Sequence, residues 1–345
     1  MSERVSLAAA LEAAQRRTGV VMPVYLPRGG NAECAEALLR DTVAACCAFV
    51  ADPGTICLSV DGEDCGAAVC QELSREFGVA TCAAPVNRGK LQAVNNGMRY
   101  LLELGPLDYV AILDDDGDHS PHELPTLLRA AQHIQAEAGE RRVLILGCRS
   151  SRHRPMGFLR GELEELADRM LLDALVYRAA VSGRPLHLEY ATALAEYPDF
   201  HSGYKLFSRA AAEDVFLAEP RLMGVSEACY YRHAVEAVMT VEALECGTIL
   251  GLANRNTLNR QPVTTFGLLD RSQLTADMII WPCKRLGVPG AFVRQWLANH
   301  VPRLLLETLS PQGKAELEAV CKHVLAAFLA GPGDGAAPPR QPLFL

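Results

Sequence analysis

Four aspartates stand within five positions in the stretch YVAILDDDGDHSPHEL, residues 109–124, directly after an apolar run. Carboxylates this close repel one another, and a fold tolerates them where solvent or a cation offsets the repulsion. Asp114 and Asp116 form an Asp-x-Asp pair, which can reach one hard divalent cation such as Mg²⁺ or Mn²⁺ and leave positions open for phosphate oxygens. The cluster indicates a cation that holds a diphosphate, although a solvated acidic loop has the same residue types.

Other acidic-loop chemistries fit less well. An EF-hand calcium loop would need glycine at His119 and glutamate at Pro125. The pattern AILDDDG also fits a haloacid-dehalogenase-like phosphohydrolase with Asp114 as nucleophile, but this strand is the fourth rather than the first, and no later G-D-x-x-x-D loop follows. A sugar-phosphate nucleotidyltransferase would carry G-x-G-x-R after the first strand, where this chain reads YLPRGGNAE. A binding module without catalysis would leave the acidic cluster unused.

The elements that position these aspartates alternate along the chain. Apolar runs predict strands at 19–25, 55–61, 79–85, 109–115 and 142–149. Helical patterns lie between them at about 31–50, 62–77, 89–104 and 122–139. Runs that are apolar almost throughout indicate burial on both faces and hence a mostly parallel sheet. The sequence therefore predicts a doubly wound α/β fold.

The carboxyl ends of parallel strands form the crevice in which such folds bind ligands. Asp61 ends the second predicted strand and Asp114 the fourth, so we expect both to face one crevice. A single acid at a strand end is also often a helix N-cap. Beyond residue 150, helices are predicted at about 160–182, 226–246 and 270–330, with breaks near GVPG and LSPQG.

Composition narrows the class of protein. The chain has 345 residues, a formal net charge of −8 and a pI near 5.6. These values argue against general nucleic-acid binding, which depends on clustered Lys and Arg. The twelve cysteines are scattered without a CxxC zinc pair, and we interpret them as reduced thiols. Without a signal-peptide pattern or an apolar window of ~18 residues, we expect a soluble, cytoplasmic protein.

Six blocks in order carry a resemblance to a known family: VVMPVY, SVDGEDCG, NRGKLQAVNNGM, DYVAILDDDGDHSPHELPTLL, LILGCRSSRHR and DFHSGYKLFSR. The chain resembles family 2 glycosyltransferases over about residues 19–265, and looks closest to the polyprenyl-phosphate (dolichyl-phosphate mannosyltransferase-like) branch. The resemblance implies a GT-A, nucleotide-diphospho-sugar transferase fold, with a Rossmann-like mostly parallel sheet flanked by helices and a helical C-terminal extension. It also implies an inverting, metal-dependent transfer of sugar to an acceptor hydroxyl or phosphate.

The resemblance assigns the donor site residue by residue. Asp61 would accept hydrogen bonds from the nucleotide base, and an N-x-G-K loop would approach the nucleotide. The nucleotide-binding residues implied are Pro23, Tyr25, Asp61, Asn87, Gly89, Lys90 and Asp114. The metal ligands implied are Asp114, Asp116, Asp118 and His201. Asp118 stands where the branch usually has Gln, and the membrane helices of many relatives are absent, which puts the acceptor in doubt more than the donor.

The acceptor side is less defined. A hydroxyl acceptor needs a general base and a phosphate acceptor needs none. Asp199 is the first candidate base, with Glu196 behind it, and Glu236 lies on a helix that resembles the acceptor-side helix of the family. His233 and Glu236 are three residues apart and would share a helical face. Arg149 begins a loop that could close over substrate, and Arg260 and Gln261 could reach the diphosphate or acceptor.

These predictions divide the chain into an N-terminal helix (1–18), a catalytic domain (19–268, with a nucleotide half to about 150 and an acceptor half from about 151), a helical extension (269–330) and a disordered tail (331–345). The extension would pack on the catalytic domain, on a second subunit, or on a membrane surface that suits a lipid-phosphate acceptor. The sequence leaves open the sugar, the acceptor, and whether the donor carries UDP, GDP or dTDP.

Overall fold

The computed structural model describes residues 5–26, 32–63, 66–191, 196–255 and 270–329. Its strands are β1 (Thr18–Val24), β2 (Ile56–Val60), β3 (Ala80–Ala83), β4 (Tyr109–Ile112), β5 (Val143–Arg149), β6 (Lys205–Ser208) and β7 (Ile249–Arg255). The first eight helices are α1 (Leu7–Arg16), α2 (Ala32–Cys47), α3 (Ala67–Phe77), α4 (Lys90–Leu104), α5 (Leu124–Ala138), α6 (His153–Met156), α7 (Phe158–Ser182) and α8 (Arg209–Phe216). The later helices are α9 (Val235–Glu245), α10 (Arg271–Arg285), α11 (Gly290–His300), α12 (Leu306–Leu309) and α13 (Gly313–Leu329).

The seven strands form one sheet in the order β3-β2-β1-β4-β6-β5-β7. All pairs are parallel except the two that involve β6, which runs antiparallel to β4 and β5. The chain moves from β1 outward to β3 and then returns to place β4 on the other side of β1. This reversal opens a crevice beyond the carboxyl ends of β1, β2 and β4, where an α/β sheet binds its ligand. The predicted α/β fold with a mostly parallel sheet is confirmed.

Helices cover both faces of the sheet, which explains the nearly continuous apolar strands. On β1, Val21 belongs to the larger hydrophobic cluster, whereas Val20 and Met22 belong to the cluster on the opposite face. Only β3, at the edge, alternates between half-buried and exposed residues. The five predicted strands are all present, and the sequence analysis assigned neither the four-residue β6 nor β7.

The C-terminal helices pack into the larger cluster rather than apart from it. Trp281 of α10 is fully buried and Trp296 of α11 is 5% exposed, and both belong to the cluster that covers one face of the sheet. The indole of Trp281 donates a hydrogen bond to the carbonyl of Arg221. In the described ranges, every helix is too short or too polar to cross a membrane. The predicted domain boundaries stay predictions, and both position 268 and the tail lie outside the described residues.

The predicted helix at 226–246 is divided into two elements. Residues Cys229–His233 form a π-helical turn, and α9 begins after it at Val235. A π turn inside a helical segment shifts the side chains that follow it and is frequent at functional sites. His233 and Glu236 therefore do not share an ordinary α-helical face, yet both line one cavity.

Candidate active site

Two adjoining cavities open at the carboxyl ends of the strands. The β1–β2 cavity lies beyond β1 and β2, and the β4–α9 cavity lies between the acidic loop after β4 and the start of α9. Predicted site residues that line the β1–β2 cavity are Pro23, Tyr25, Asp61, Asn87, Gly89, Lys90, Asp114 and Asp116. Predicted residues that line the β4–α9 cavity are Tyr25, Lys90, Asp114, Asp116, Asp118, Arg149, His201 and Glu236. The shared residues make the two cavities one continuous site.

Asp61 orders the loop that closes the β1–β2 cavity. Its two carboxylate oxygens accept hydrogen bonds of 2.9 Å each from the backbone N–H groups of Arg88 and Gly89. Asp61 is buried, so these bonds replace the water that an ionised carboxylate needs. Asp61 thus binds the backbone just before α4, the helix that follows β3. It does not cap α3, the helix that follows its own strand β2. Its predicted contact with a nucleotide base stays a prediction.

Gly89 is required by this loop for two independent reasons. Its φ of +130° lies in a region that favours glycine. A Cβ at this position would also clash with the carbonyl oxygen of Tyr231. The close approach brings the π turn against the start of α4, where Arg232 donates a hydrogen bond to the carbonyl of Asn87.

Lys90, the first residue of α4, lines both cavities and pairs with a carboxylate from each of two elements. Its ammonium nitrogen lies 2.7 Å from Oδ1 of Asp114 and 2.9 Å from Oε1 of Glu236. Burial opposes the charge, but the two carboxylates outweigh it and raise the pKa of Lys90 above its ordinary value. Lys90 is therefore a fixed cation at the boundary between the cavities.

The remaining carboxylates of the acidic loop have different surroundings. Asp115 accepts a hydrogen bond from the N–H of Tyr25, yet burial raises its pKa to about 7. Burial and the charge of Asp114 likewise raise the pKa of Asp116 to about 7. Asp118 instead meets the guanidinium of Arg255, the last residue of β7, at 3.0 Å. Crowded carboxylates with raised pKa values are what an added cation would relieve.

The surroundings of His201 support its predicted role as a metal ligand. Its Nδ1 lies 2.7 Å from Oδ1 of the fully buried Asp168, and its buried Nε2 has no hydrogen-bond partner among the described residues. A histidine held by a carboxylate through one nitrogen commonly binds a metal through the other. An imidazole nitrogen beside carboxylate oxygens is a donor set that suits Mn²⁺.

The four predicted metal ligands do not converge on one point. Within the described part of the chain, one group of three or more acidic, histidine or cysteine side chains brings its ligand atoms within 4.8 Å of one another: His153, Glu162 and Glu165. Asp114 and Asp118 are held in ion pairs with Lys90 and Arg255. Burial and the charge of Asp114 raise the pKa of Asp116, and Nε2 of His201 has no hydrogen-bond partner among the described residues, so these two members of the predicted set suit a cation best.

The surroundings of Asp199 argue against its predicted role as general base. Its carboxylate is bound by Arg149 at 2.6 and 2.8 Å and by Arg152 at 3.3 Å. Burial works against ionisation, but these guanidinium groups outweigh it and hold the pKa of Asp199 well below its usual range. Asp199 is 1% exposed and does not line either cavity formed by the described residues. It anchors the end of β5 instead.

Glu196, the second predicted base, is exposed, whereas Asp199 is buried. Glu196 is 79% exposed at its side chain, lies 3.7 Å from Arg169, and is not among the described residues that line the two cavities. Arg149 does line the β4–α9 cavity, although it is paired with Asp199 and with Glu164 at 2.9 Å. The predicted residues Arg260 and Gln261 lie outside the described residues.

Sequence reasoning missed several cavity residues. Arg232 reaches both cavities from the π turn, and Arg255 reaches the acidic loop from the end of β7. The strand-end rule that selected Asp61 could have selected Arg255 if β7 had been assigned. His233 pairs with Asp277 of α10 at 2.6 Å, a partner 44 residues away that no local pattern indicates.

Comparisons with known proteins relate this chain to a family of enzymes. A sequence model of the family described as Glycosyl transferase family 2 matches residues 20–216, more than half of the chain. An uncharacterized protein of Methanocaldococcus jannaschii is 30% identical over 70 residues, which cover 20% of this chain and 28% of that protein. The match therefore spans little more than a quarter of that relative's length.

Solved structures are similar over most of their length. Glucosyl-3-phosphoglycerate synthase from Mycobacterium tuberculosis, in complex with Mn²⁺, UDP and glucosyl-3-phosphoglycerate, has a TM-score of 0.50 and 18% identity, with 84% of this chain and 87% of that chain covered. A structure described as a mycobacterial protein has a TM-score of 0.51 and 16% identity, with 83% of this chain and 80% of that chain covered. At these identities the likeness shows the fold alone.

Proposed function

The chain belongs to glycosyl transferase family 2 and has the GT-A fold, and from this premise we propose that it transfers a sugar from a nucleotide-diphosphate sugar, with a divalent cation and with inversion at the anomeric carbon. The observation that carries the proposal is the continuous site in which Asp61, Lys90 and Asp116 meet beyond the carboxyl ends of β1, β2 and β4. Asp61 and Lys90 belong to the nucleotide-binding residues that the resemblance implied, and Asp116 belongs to the metal ligands that it implied.

The β1–β2 cavity would hold the nucleotide. Pro23 and Tyr25 form its wall at the end of β1, and the loop that Asp61 orders closes it on the other side. The diphosphate would lie toward Lys90, because the N-terminus of α4 and its ammonium both favour anions. The candidate nucleotides of the donor are UDP, GDP and dTDP, which differ in their bases or sugars.

The cation would be Mg²⁺ or Mn²⁺, held by Asp116 and His201 and completed by diphosphate oxygens. When bound, it would stabilise the negative charge that grows on the departing diphosphate. The unpartnered Nε2 of His201 among the described residues and the raised pKa of Asp116 support this assignment. Lys90 would provide a second, permanent positive charge beside the same leaving group.

The β4–α9 cavity would receive the acceptor. It adjoins the β1–β2 cavity at Lys90 and Asp114, which line both, so an acceptor there could approach the sugar beside these two residues. The acceptor would be a small molecule, a glycan or a lipid phosphate. The polyprenyl-phosphate branch, a peripheral membrane contact and a homodimer through the C-terminal helices remain predictions of the sequence.

Calorimetric titration with UDP, GDP and dTDP, each with and without Mn²⁺, tests the donor site. We expect one nucleotide to bind in a Mn²⁺-dependent way, and Asp116→Ala to abolish that dependence. Asp41→Ala, which changes an exposed aspartate of α2, serves as the control and should bind as the wild type does. Failure of all three nucleotides, together with hydrolysis of small phosphoesters, would favour the phosphohydrolase hypothesis with Asp114 as nucleophile.

The stereochemical proposal needs its own measurement. Proton NMR of the first product formed from an α-linked nucleotide sugar distinguishes a β anomer, expected for inversion, from an α anomer. A retained α anomer would contradict inversion and leave the donor-site proposal standing.

A further inference from the structure

A histidine and an aspartate from separate elements meet at the wall of the β4–α9 cavity. Nδ1 of His233, in the π turn, lies 2.6 Å from Oδ2 of Asp277 in α10. Oδ1 of Asp277 accepts a hydrogen bond of 2.8 Å from the side-chain amide of Gln273. Asp277 is buried, whereas 11% of the His233 side chain is exposed in the cavity wall. The arrangement is a buried carboxylate behind an accessible imidazole.

The hydrogen-bond pattern fixes the role of each imidazole nitrogen. An ionised carboxylate has no proton to donate, so the short contact requires Nδ1–H of His233 to donate to Asp277. In the neutral ring Nε2 then carries the lone pair. The same logic orients a catalytic histidine wherever an aspartate holds its Nδ1.

The other acid and base groups of this wall are already engaged. Glu236 forms an ion pair with the ammonium of Lys90, and Asp118 forms one with the guanidinium of Arg255. Glu164 is held by Arg149 at 2.9 Å. A carboxylate in an ion pair is a poorer proton acceptor than a neutral imidazole. Asp114 is held by Lys90, and Asp115 accepts the N–H of Tyr25.

The other histidines of the wall have different roles. Nδ1 of His119 accepts the N–H of Asp114, so in the neutral ring its Nε2 carries the proton and cannot accept another. Asp116 and His201 are the proposed ligands of the cation. Among the described residues of the wall, His233 is therefore the group best suited to take a proton.

We propose that His233 is the general base for an acceptor hydroxyl, and that Asp277 is the positioning residue that fixes its tautomer. This inference rests on the proposed function and deepens it, because a phosphate acceptor would need no base. The acceptor is therefore a molecule that presents a hydroxyl group to the β4–α9 cavity.

The step balances without a further reactant. The hydroxyl oxygen attacks the anomeric carbon, and the bond from that carbon to the diphosphate oxygen breaks with its electron pair on the leaving nucleotide. The hydroxyl proton passes to Nε2 of His233. The imidazolium that forms is stabilised by Asp277 and later returns the proton to water.

A spectroscopic measurement tests the dyad without any acceptor. In protein labelled with ¹⁵N-histidine, the resonances of His233 are identified by their loss in His233→Gln. We expect the Nδ1–H tautomer in the wild type, and loss of that preference in Asp277→Asn. An Nε2–H tautomer in the wild type would overturn the proposal, because Nε2 would then be a donor and could not accept the hydroxyl proton.

Turnover provides the second test. The probes are water and glycerol as acceptors, with the sugar nucleotide whose base binds in calorimetry, and release of nucleoside diphosphate as the readout. His233→Gln is expected to lower turnover by about 10²- to 10⁴-fold, with unchanged nucleotide and Mn²⁺ affinities. Added imidazole should restore part of the rate of His233→Ala. The control His133→Gln changes an exposed histidine of α5 that pairs with Glu137.

The outcomes separate the two proposals. Absence of nucleotide binding in the wild type would contradict the proposed donor site itself. Intact binding with wild-type turnover in His233→Gln would overturn the base alone. If the wild type turns over neither probe, the tautomer measurement decides.

Discussion

Asp114 lies so close to Gly203 that a Cβ on the glycine would come within 2.5 Å of Oδ2 of the aspartate. The segment before β6 thus packs directly against the acidic loop after β4. This contact explains why residue 203 is a glycine, because the backbone conformation at that position does not by itself require glycine. It also couples the position of Asp114 to that of His201, two residues earlier.

Gly203→Ala should disturb the site and leave the fold intact. We expect nucleotide affinity in the presence of Mn²⁺ to fall by about tenfold or more, because a misplaced methyl group in a packed region typically costs ~1–3 kcal/mol. The matched control is Gly105→Ala, since a Cβ there meets nothing within 4 Å. Calorimetry of both variants checks this. Equal affinities would show that the acidic loop can move without consequence.

Lys90→Met should weaken both stability and binding. The substitution leaves Asp114 and Glu236 facing one another without the shared cation. We expect a loss of about 1–3 kcal/mol in the free energy of unfolding, and loss of measurable nucleotide binding. Urea denaturation and calorimetry provide the readouts. Lys322→Met changes an exposed lysine of α13 and should alter neither, and a stable Lys90 variant that binds nucleotide would contradict the assigned role.

Asp199→Asn distinguishes a structural anchor from a base. Removing the charge leaves Arg149 and Arg152 buried beside a neutral partner, so we expect a loss of about 3 kcal/mol or more in unfolding free energy. Glu196→Gln, at an exposed carboxylate, should have no effect on stability. Chemical denaturation tests the pair. Unchanged stability in Asp199→Asn, together with lost turnover, would restore the base assignment.

Lys205 gives the protein a predicted pH dependence. Its side chain is fully buried and donates to the carbonyl of Phe200, and burial lowers its pKa to about 8 from an ordinary 10.5. The unfolded chain therefore binds more protons between these values, and this residue's contribution to stability rises with pH across that window. Below pH 8 the charged form costs the fold about 3 kcal/mol.

Lys205→Met removes that dependence. The advantage of the variant over the wild type should shrink by about 3 kcal/mol from pH 7 to pH 10.5, as measured by urea denaturation at each pH. The lost hydrogen bond to Phe200 lowers the variant's stability equally at both values. A difference between the two proteins that stays constant with pH would contradict the buried, shifted amine.

Much of the proposed donor site was predictable from the sequence. Strands buried on both faces must be apolar throughout, so β1, β2 and β4 could be recognised from their residues alone. Their carboxyl ends must share one edge of a parallel sheet, and strand direction by itself therefore places Pro23, Asp61 and Asp114 together. In the folded chain these three residues line one cavity.

The acceptor side depended on tertiary structure. A carboxylate has the same sequence signature whether it is a base, a cap or an anchor, and its partner decides the outcome. Asp199, for example, accepts the N–H of Arg149, which ends β5 50 residues earlier, and this pairing favours an anchor. β6 escaped assignment because four residues that include a lysine do not make an apolar run.

The sequence by itself determined the fold class and the edge of the sheet at which the site lies, since these follow from periodic burial and strand direction. Its six ordered blocks carried the resemblance that indicated the family. Only the tertiary structure decided which ionisable groups are paired, because pairing depends on distances between segments far apart in the chain. Lys90 with Glu236 and His233 with Asp277 are such pairs. Inside a protein, where the effective dielectric constant is lower than in water, those distances set which carboxylates are neutralised and which group is left to accept a proton.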